Sequence, residues 1–191
     1  DYRMPESHKA NVTKAWSDPT ADIIGDIQKA IETIRDDTGV TVARAICSSK
    51  VIGYLRKNEE IKNSIAILTD GQGFVSDNKI MQFIQDELDL QIAKYDKKYK
   101  DEDGETQRFI EDDIFCMFPS GNLGTTWMGT TPEESDLMTG SAANVTITDN
   151  GVAVTTIKKA DPVNVETKVT QICLPDFPTA DQVFVYDVLQ V

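Results

Sequence analysis

Few residues in this chain could carry chemistry. His8 is the only histidine among 191 residues, so a Ser-His-Asp or Cys-His relay would have to be built on it. It lies in a polar, aperiodic stretch before Trp16, with no patterned nucleophile nearby, and is expected to be a solvated surface residue. Cys47, Cys116 and Cys173 lie far apart. An odd count without close pairs suits neither a disulfide framework nor a zinc knuckle. Reduced, buried thiols are expected, because free cysteine is among the most buried residue types. Gly71-Gln72-Gly73 lacks the third glycine and the strand-to-helix setting of a dinucleotide fingerprint, so a tight turn is expected there.

The acidic residues are the more conspicuous feature. Asp101, Glu102, Asp103, Glu105, Glu111, Asp112 and Asp113 stand together with a single base, Arg108, and hold nearly half of the net charge of −13. Asp101-Glu102-Asp103-Gly104-Glu105 resembles half of a calcium loop, but Asp112 stands where the loop's closing Glu belongs and no suitable helices flank it. If this segment held a divalent ion, Asp101, Asp103 and Glu105 would be its ligands. A solvated hairpin tip is the simpler reading, and no resident metal or cofactor is expected. Glu111-Asp112-Asp113 could be imagined as a glycosidase pair. Adjacent acids on an extended chain point to opposite faces, and no aromatic sugar platform flanks them. No catalytic site assembles, and a non-enzyme is expected. The balance of 19 basic against 32 acidic residues argues against sequence-specific nucleic-acid binding, which rests on clustered Lys and Arg. No window approaches the roughly 18 apolar residues of a membrane span.

The elements that position these residues change character along the chain. Ser17-Asp18-Pro19 reads as a helix start, with Asp18 or Ser17 as the cap and Pro19 in the first turn. Asp22 and Asp26 suit the positive end of the helix dipole. Ile23, Ile24, Ile27, Ile31 and Ile34 form one apolar stripe, and Gly39 supplies a left-handed stop, which predicts a helix of about 18–20 residues, roughly 28 Å long. A strand over Val40–Ile46 and a helix capped by Ser48-Ser49 follow. Glu59–Thr69 continues as a helix or extended piece, and a third helix is expected over Ser76–Asp89. Strands are then expected over Gln91–Tyr99, Gln107–Ile110 and Ile114–Phe118, with a turn at Asp103-Gly104. Pro119–Ala142, rich in Gly and Pro, reads as a long surface loop. Asn144–Ile157 is a hairpin turning at Asn150-Gly151, with Ile147 opposite Val154 and Val145 opposite Thr156. Val163–Leu174 and Gln182–Val191 are further β-runs.

The ordered set of segments resembles the major capsid protein E family of lambda-like tailed phages. The similarity lies in Trp16-Ser17-Asp18-Pro19-Thr20-Ala21-Asp22-Ile23-Ile24 with its helix ending Asp37-Thr38-Gly39, and in Ile46-Cys47-Ser48-Ser49-Lys50-Val51-Ile52 leading to Asn58-Glu59-Glu60-Ile61. It continues in Leu90–Tyr99 with the return Arg108-Phe109-Ile110, in Pro119–Thr126, and in Leu174-Pro175 and Val183-Phe184-Val185-Tyr186. The resemblance covers nearly the whole chain. It implies an α+β protein of the Hong Kong 97-type capsid fold, in which a peripheral domain has a long spine helix and long strands and an axial domain surrounds the capsomer centre. Residues 1–39 would be a peripheral segment with the spine helix, 40–157 the axial domain, and 158–191 returning peripheral strands. The family's N-terminal arm and extended loop are absent, so a chain starting at Asp1 is expected to be the C-terminal part of a longer coat protein. The implied function is a structural coat protein of a phage or prophage that assembles into pentamers and hexamers of an icosahedral shell enclosing DNA. Its partners would be copies of itself, with scaffold, decoration or portal proteins besides. Its locations would be the virion capsid and, during assembly, the bacterial host cytoplasm. Subunit-interface candidates are Asp101, Asp103 and Glu105 at the acidic tip and Asn122, Leu123 and Trp127 in the loop Gly121–Gly140. Two other readings are a prophage-encoded ligand-binding module using the Asn144–Ile157 hairpin and a divalent-metal-dependent enzyme using residues 101–113.

Overall fold

The computed structural model describes residues 4–68, 75–133, 135, 144–149, 151–160 and 163–190. The Gly71-Gln72-Gly73 turn, Asn150 and residues 136–143 of the expected loop lie outside them. After a 3-10 turn at Glu6–His8, the chain order is β1 (Lys9–Asn11), α1 (Ile23–Thr38), β2 (Val42–Cys47), α2 (Ser49–Lys57), α3 (Glu59–Leu68) and α4 (Asp77–Leu88). Then come β3 (Gln91–Lys94), β4 (Lys98–Lys100), β5 (Thr106–Arg108), β6 (Ile114–Pro119) and β7 (Thr125–Met128). β8 (Asn144–Asp149), β9 (Val152–Ala160), β10 (Val163–Gln171), β11 (Cys173–Asp176) and β12 (Phe184–Asp187) complete it. The chain divides into two units, Asp1–Gly121 with Thr179–Val191 as unit 1 and Asn122–Pro178 as unit 2. The expected division at 157/158 falls inside β9, and that at 39/40 falls inside unit 1.

Unit 1 is built on a mixed sheet in the order β1-β12-β6-β2-β3. β2 and β3 are parallel neighbours, which requires a crossover, and α2, α3 and α4 supply it. Two cross-strand rows form the buried side of this sheet: Cys47, Phe115 and Tyr186, then Ala45, Met117 and Phe184. A bulge between Val42 and Arg44 lets Val42 and Ala45, three residues apart, both face the core.

Helix α1 starts later than expected. Asp22, not Asp18, is its cap and accepts the Gly25 N–H at 2.8 Å. Asp18 is engaged one step earlier by the N–H and hydroxyl of Thr20, each at 2.8 Å, which holds Pro19 in the connecting turn. Gly39 closes the helix at φ 71°, a conformation glycine adopts without strain. Asp26 is more than a dipole partner. Its carboxylate is buried and accepts from the Trp16 indole at 2.9 Å and from Thr13 at 3.3 Å. Trp16 in turn packs on Phe115 and Tyr186, with ring centroids 5.2 Å and 6.3 Å apart. α2 is capped by Ser48 as expected. Asn58 is fully buried and does two things: its amide donates to the carbonyls of Pro19 and Ala21, and its oxygen caps α3 at the Ile61 N–H.

His8 corrects the expectation of a solvated residue. It is fully buried, stacked at 6.0 Å on Phe184, with Nε2 3.0 Å from Asp37. The 3-10 turn and β1, which pairs in parallel with β12, carry it inward. The expected strand Gln91–Tyr99 is two strands: the Tyr95 N–H makes the last bond of the β2–β3 ladder, to the Cys47 carbonyl, and the Asp96 carboxylate then accepts from the Ser49 N–H.

Unit 2 contains a three-stranded antiparallel sheet, β10-β9-β8, and a two-stranded one, β11-β7. β7 lies where a loop was expected. Its partner is distant in sequence, with Trp127 opposite Leu174 and Met128 opposite Cys173. The β8–β9 hairpin forms, but its register differs from the expected one: Ile147 is opposite Ala153, and Val145 opposite Thr155. A bulge between Ile147 and Asp149 adds one residue to β8, and each added residue shifts the pairing beyond it by one.

Candidate assembly surface

The acidic segment separates into two parts with different roles. Residues 101–105 form the turn between β4 and β5. Asp101 organises it: its carboxylate accepts the Glu105 N–H at 2.8 Å and the Gln107 amide at 3.3 Å. Gly104 takes φ 83°, the left-handed value such a turn requires. Asp103 and Glu105 are exposed. Asp101 is therefore turned towards its own hairpin rather than towards its two acidic neighbours, and among the described residues no group of three acidic, His or Cys side chains converges on a metal position. Asp112 and Asp113 are held elsewhere, by Arg108 at 2.9 Å and Lys50 at 2.8 Å. Arg108 also bridges to Asp96 at 3.2 Å. The hydroxyl and N–H of Ser49, and then Arg108, hold the Asp96 carboxyl below its ordinary range.

Next to the tip is an aromatic group that the acidic pattern concealed. Tyr99 and Phe109 are exposed, with ring centroids 4.9 Å apart, and Tyr95 meets Phe109 edge-on at 6.5 Å. Lys97 lies 5.8 Å over the Tyr95 ring.

In unit 2, Asn122 is an exposed turn residue whose side chain accepts the Gly124 N–H at 3.3 Å. Gly124 is required by the close approach of β11, since a Cβ there would lie 2.2 Å from the Asp176 carbonyl oxygen. Leu123 is half-buried. Trp127 is 60% exposed and its cross-strand neighbour Leu174 67%. The Trp127 indole donates to Asp176 at 3.3 Å, so its polar atom is satisfied while its apolar rings face outward. The same holds along β10. Val163, Val165 and Val169 share one face, since alternate residues of a strand do, and are 90%, 58% and 64% exposed. On the other side of β9, Ala153 and Thr155 are buried. Trp127 is thus exposed, and so are Leu174 and the three valines, which the sequence reading did not single out although the Val-x-Val spacing at 163–165 was an available signal.

The cysteines differ from one another. Burial pushes the Cys47 thiol up to about 12 and that of Cys116 up to about 11. Cys173 corrects the expectation of three buried thiols: it lies exposed on β11, because both sides of that short strand pair remain open. No helix among the described residues is long and apolar enough to cross a membrane.

The fold is shared with known proteins. A protein assigned as a prophage capsid protein of Escherichia coli CFT073 matches over 98% of this chain, with a TM-score of 0.69 and 19% identity. A phage-related protein of Bordetella bronchiseptica RB50 matches over 97%, with a TM-score of 0.60 and 11% identity. This chain spans about half the length of each, 54% and 56%. No curated protein sequence matches it. The sequence pattern of phage major capsid protein E matches residues 1–184. With an α+β fold common to phage proteins and a family pattern running through both units, the chain belongs to the phage major capsid protein E family.

Proposed function

We propose that the protein is part of a structural coat subunit of a tailed phage or prophage. It works by self-association into pentamers and hexamers of an icosahedral shell of the Hong Kong 97 type. Its places of action are then the virion and the host cytoplasm where shells assemble. The observation that carries this reading is the exposure of large apolar residues on both sheets of unit 2, Trp127 and Leu174 on one and Val163, Val165 and Val169 on the other, in a member of a capsid family. Apolar clusters turned to water in this way mark surfaces that another protein covers. Burial at interfaces and symmetric closure replace a chemical step.

Within the shell fold, the peripheral and axial parts follow the two compact units. Unit 2, which holds the nine-residue strands β9 and β10, corresponds to the peripheral sheet. Unit 1, with its four helices and five-stranded sheet, is the axial body. On this assignment α1, whose Ile23, Ile27, Ala30 and Ile34 are fully buried, belongs with unit 1. The test is expression of the coat protein at its full length, followed by negative-stain imaging and sedimentation. Shells or capsomers are expected; a monomer at high concentration overturns the reading.

A further inference from the structure

We infer that β10 pairs edge to edge with β10 of a second copy, antiparallel about a twofold axis at Thr167, to form one sheet continuous across two subunits. The inference rests on the self-assembly reading only in taking a second copy as the partner.

β10 is an edge strand. Its ladder runs to β9, and among the described residues no strand pairs with its other side. A nine-residue edge of this kind is a ready template for another strand, and all of β10 but the half-buried Thr170 is exposed. The direction of its backbone groups can be read from two bonds. The Val165 N–H is bonded to the Asn164 side chain at 2.8 Å rather than to β9, while the Ile172 N–H reaches the Gly151 carbonyl at 3.3 Å on the β9 side. Because alternate residues of a strand bond to opposite sides, Val163, Val165, Thr167, Val169 and Gln171 turn their N–H and C=O groups to the free edge.

Those residues determine the register. With Thr167 on the axis, Val165 stands opposite the second copy's Val169, and Glu166 opposite its Lys168. Asn164 stands opposite Thr170. Each pair occurs twice by symmetry, as an isologous interface requires. Moving the axis to Val165 or Val169 leaves Glu166 and Lys168 opposite neutral residues. Only the Thr167 register is complementary in charge and in valine packing together, and opposite-charge and β-branched cross-strand pairs are the favourable ones. Lys168 already meets Glu133 at 2.5 Å, but its side chain is 60% exposed and an ammonium carries three donors, so it can bridge Glu133 and the incoming Glu166. Val165, released from Asn164, gains a ladder partner.

The register is tested by cross-linking in a Cys173→Ser background, which removes the exposed native thiol. Residues facing each other across a bonded antiparallel pair have Cα atoms about 5.5 Å apart, within disulfide range. Val163 would lie roughly 27 Å from its own copy at about 3.3 Å per residue. Under mild oxidation Thr167→Cys is expected to form a disulfide dimer at least about tenfold faster than Val163→Cys. As a second measurement, Thr167→Pro removes an outward N–H without touching the β9 ladder. It is expected to weaken self-association by about tenfold or more, read by sedimentation, with the circular dichroism spectrum unchanged. Equal cross-linking at 163 and 167, or association unaffected by Thr167→Pro, overturns the strand pairing and leaves the coat reading in place. A protein that is monomeric in every variant and in the parent overturns both.

Discussion

The two units dispose of their apolar residues in opposite ways. In unit 1 the large side chains are interior: Trp16, Phe115, Met117 and nine Ile or Leu residues are the largest fully buried ones among the described residues. Among the described residues of unit 2 the buried side chains are small, Ala153, Thr155 and Thr131, while Trp127, Leu174, Ile172 and three valines of β10 lie exposed. Unit 1 thus holds the hydrophobic core cluster found among the described residues. The described part of unit 2 is a three-stranded and a two-stranded sheet, and sheets of that size need additional packing to be firmly stable. The difference shows that a hydrophobic strand pattern identifies a face that seeks cover but not which molecule supplies it.

Substitutions can break or sharpen this contrast. The largest effect is expected from Trp16→Ala, which opens a cavity and removes the indole donor from buried Asp26; loss of a core aromatic costs about 3–5 kcal/mol, measurable by urea unfolding. Asn58→Ala follows, at about 1–3 kcal/mol, because it leaves the carbonyls of Pro19 and Ala21 and the Ile61 N–H without their partner. A smaller change is expected on acidification. The Asp96 carboxyl titrates below its unfolded-state value, so its contribution is present above that value and is lost as pH falls through the folded one. The parent should therefore lose urea resistance below about pH 4, and Asp96→Asn should flatten this limb. In unit 2, Val165→Asp is expected to alter unfolding free energy by no more than about 0.5 kcal/mol while reducing oligomers in sedimentation; a loss like that of Trp16→Ala would show that this face is internal after all. The least perturbing probe is alkylation at neutral pH followed by mass spectrometry. Cys173 should react first, with Cys47 and Cys116 protected by burial and by thiols that stay protonated.

Much of unit 1 was legible because its signals are local. The Ser48 cap of α2, the Ile stripe and the Gly39 stop each lie within a few residues of what they determine. What was not legible depends on distant partners. His8 is buried only because Phe184 and Asp37 come to it, and β7 becomes a strand only when β11 arrives opposite Trp127. Asp18 satisfied every local rule for a cap, yet Thr20 claims its carboxylate. Among the interface candidates, Trp127 was identified by its type and by its loop setting. Asp101 looked like one of three equivalent acids, until its two bonds within the hairpin distinguished it from Asp103 and Glu105.

The pairing of β12 in parallel with β1 and antiparallel with β6 has a consequence in time. During translation the whole of unit 2 emerges between the two parts of unit 1. About 65 residues separate the end of β6 from the start of β12, roughly 3–13 s of synthesis at about 5–20 residues per second. Throughout that interval β6 has a bare edge, and Phe115 and Met117 lack Tyr186 and Phe184. Chains on one polysome therefore carry exposed strand edges side by side before the final strand arrives, and a nascent coat subunit is most exposed to wrong pairing just before it becomes able to pair correctly.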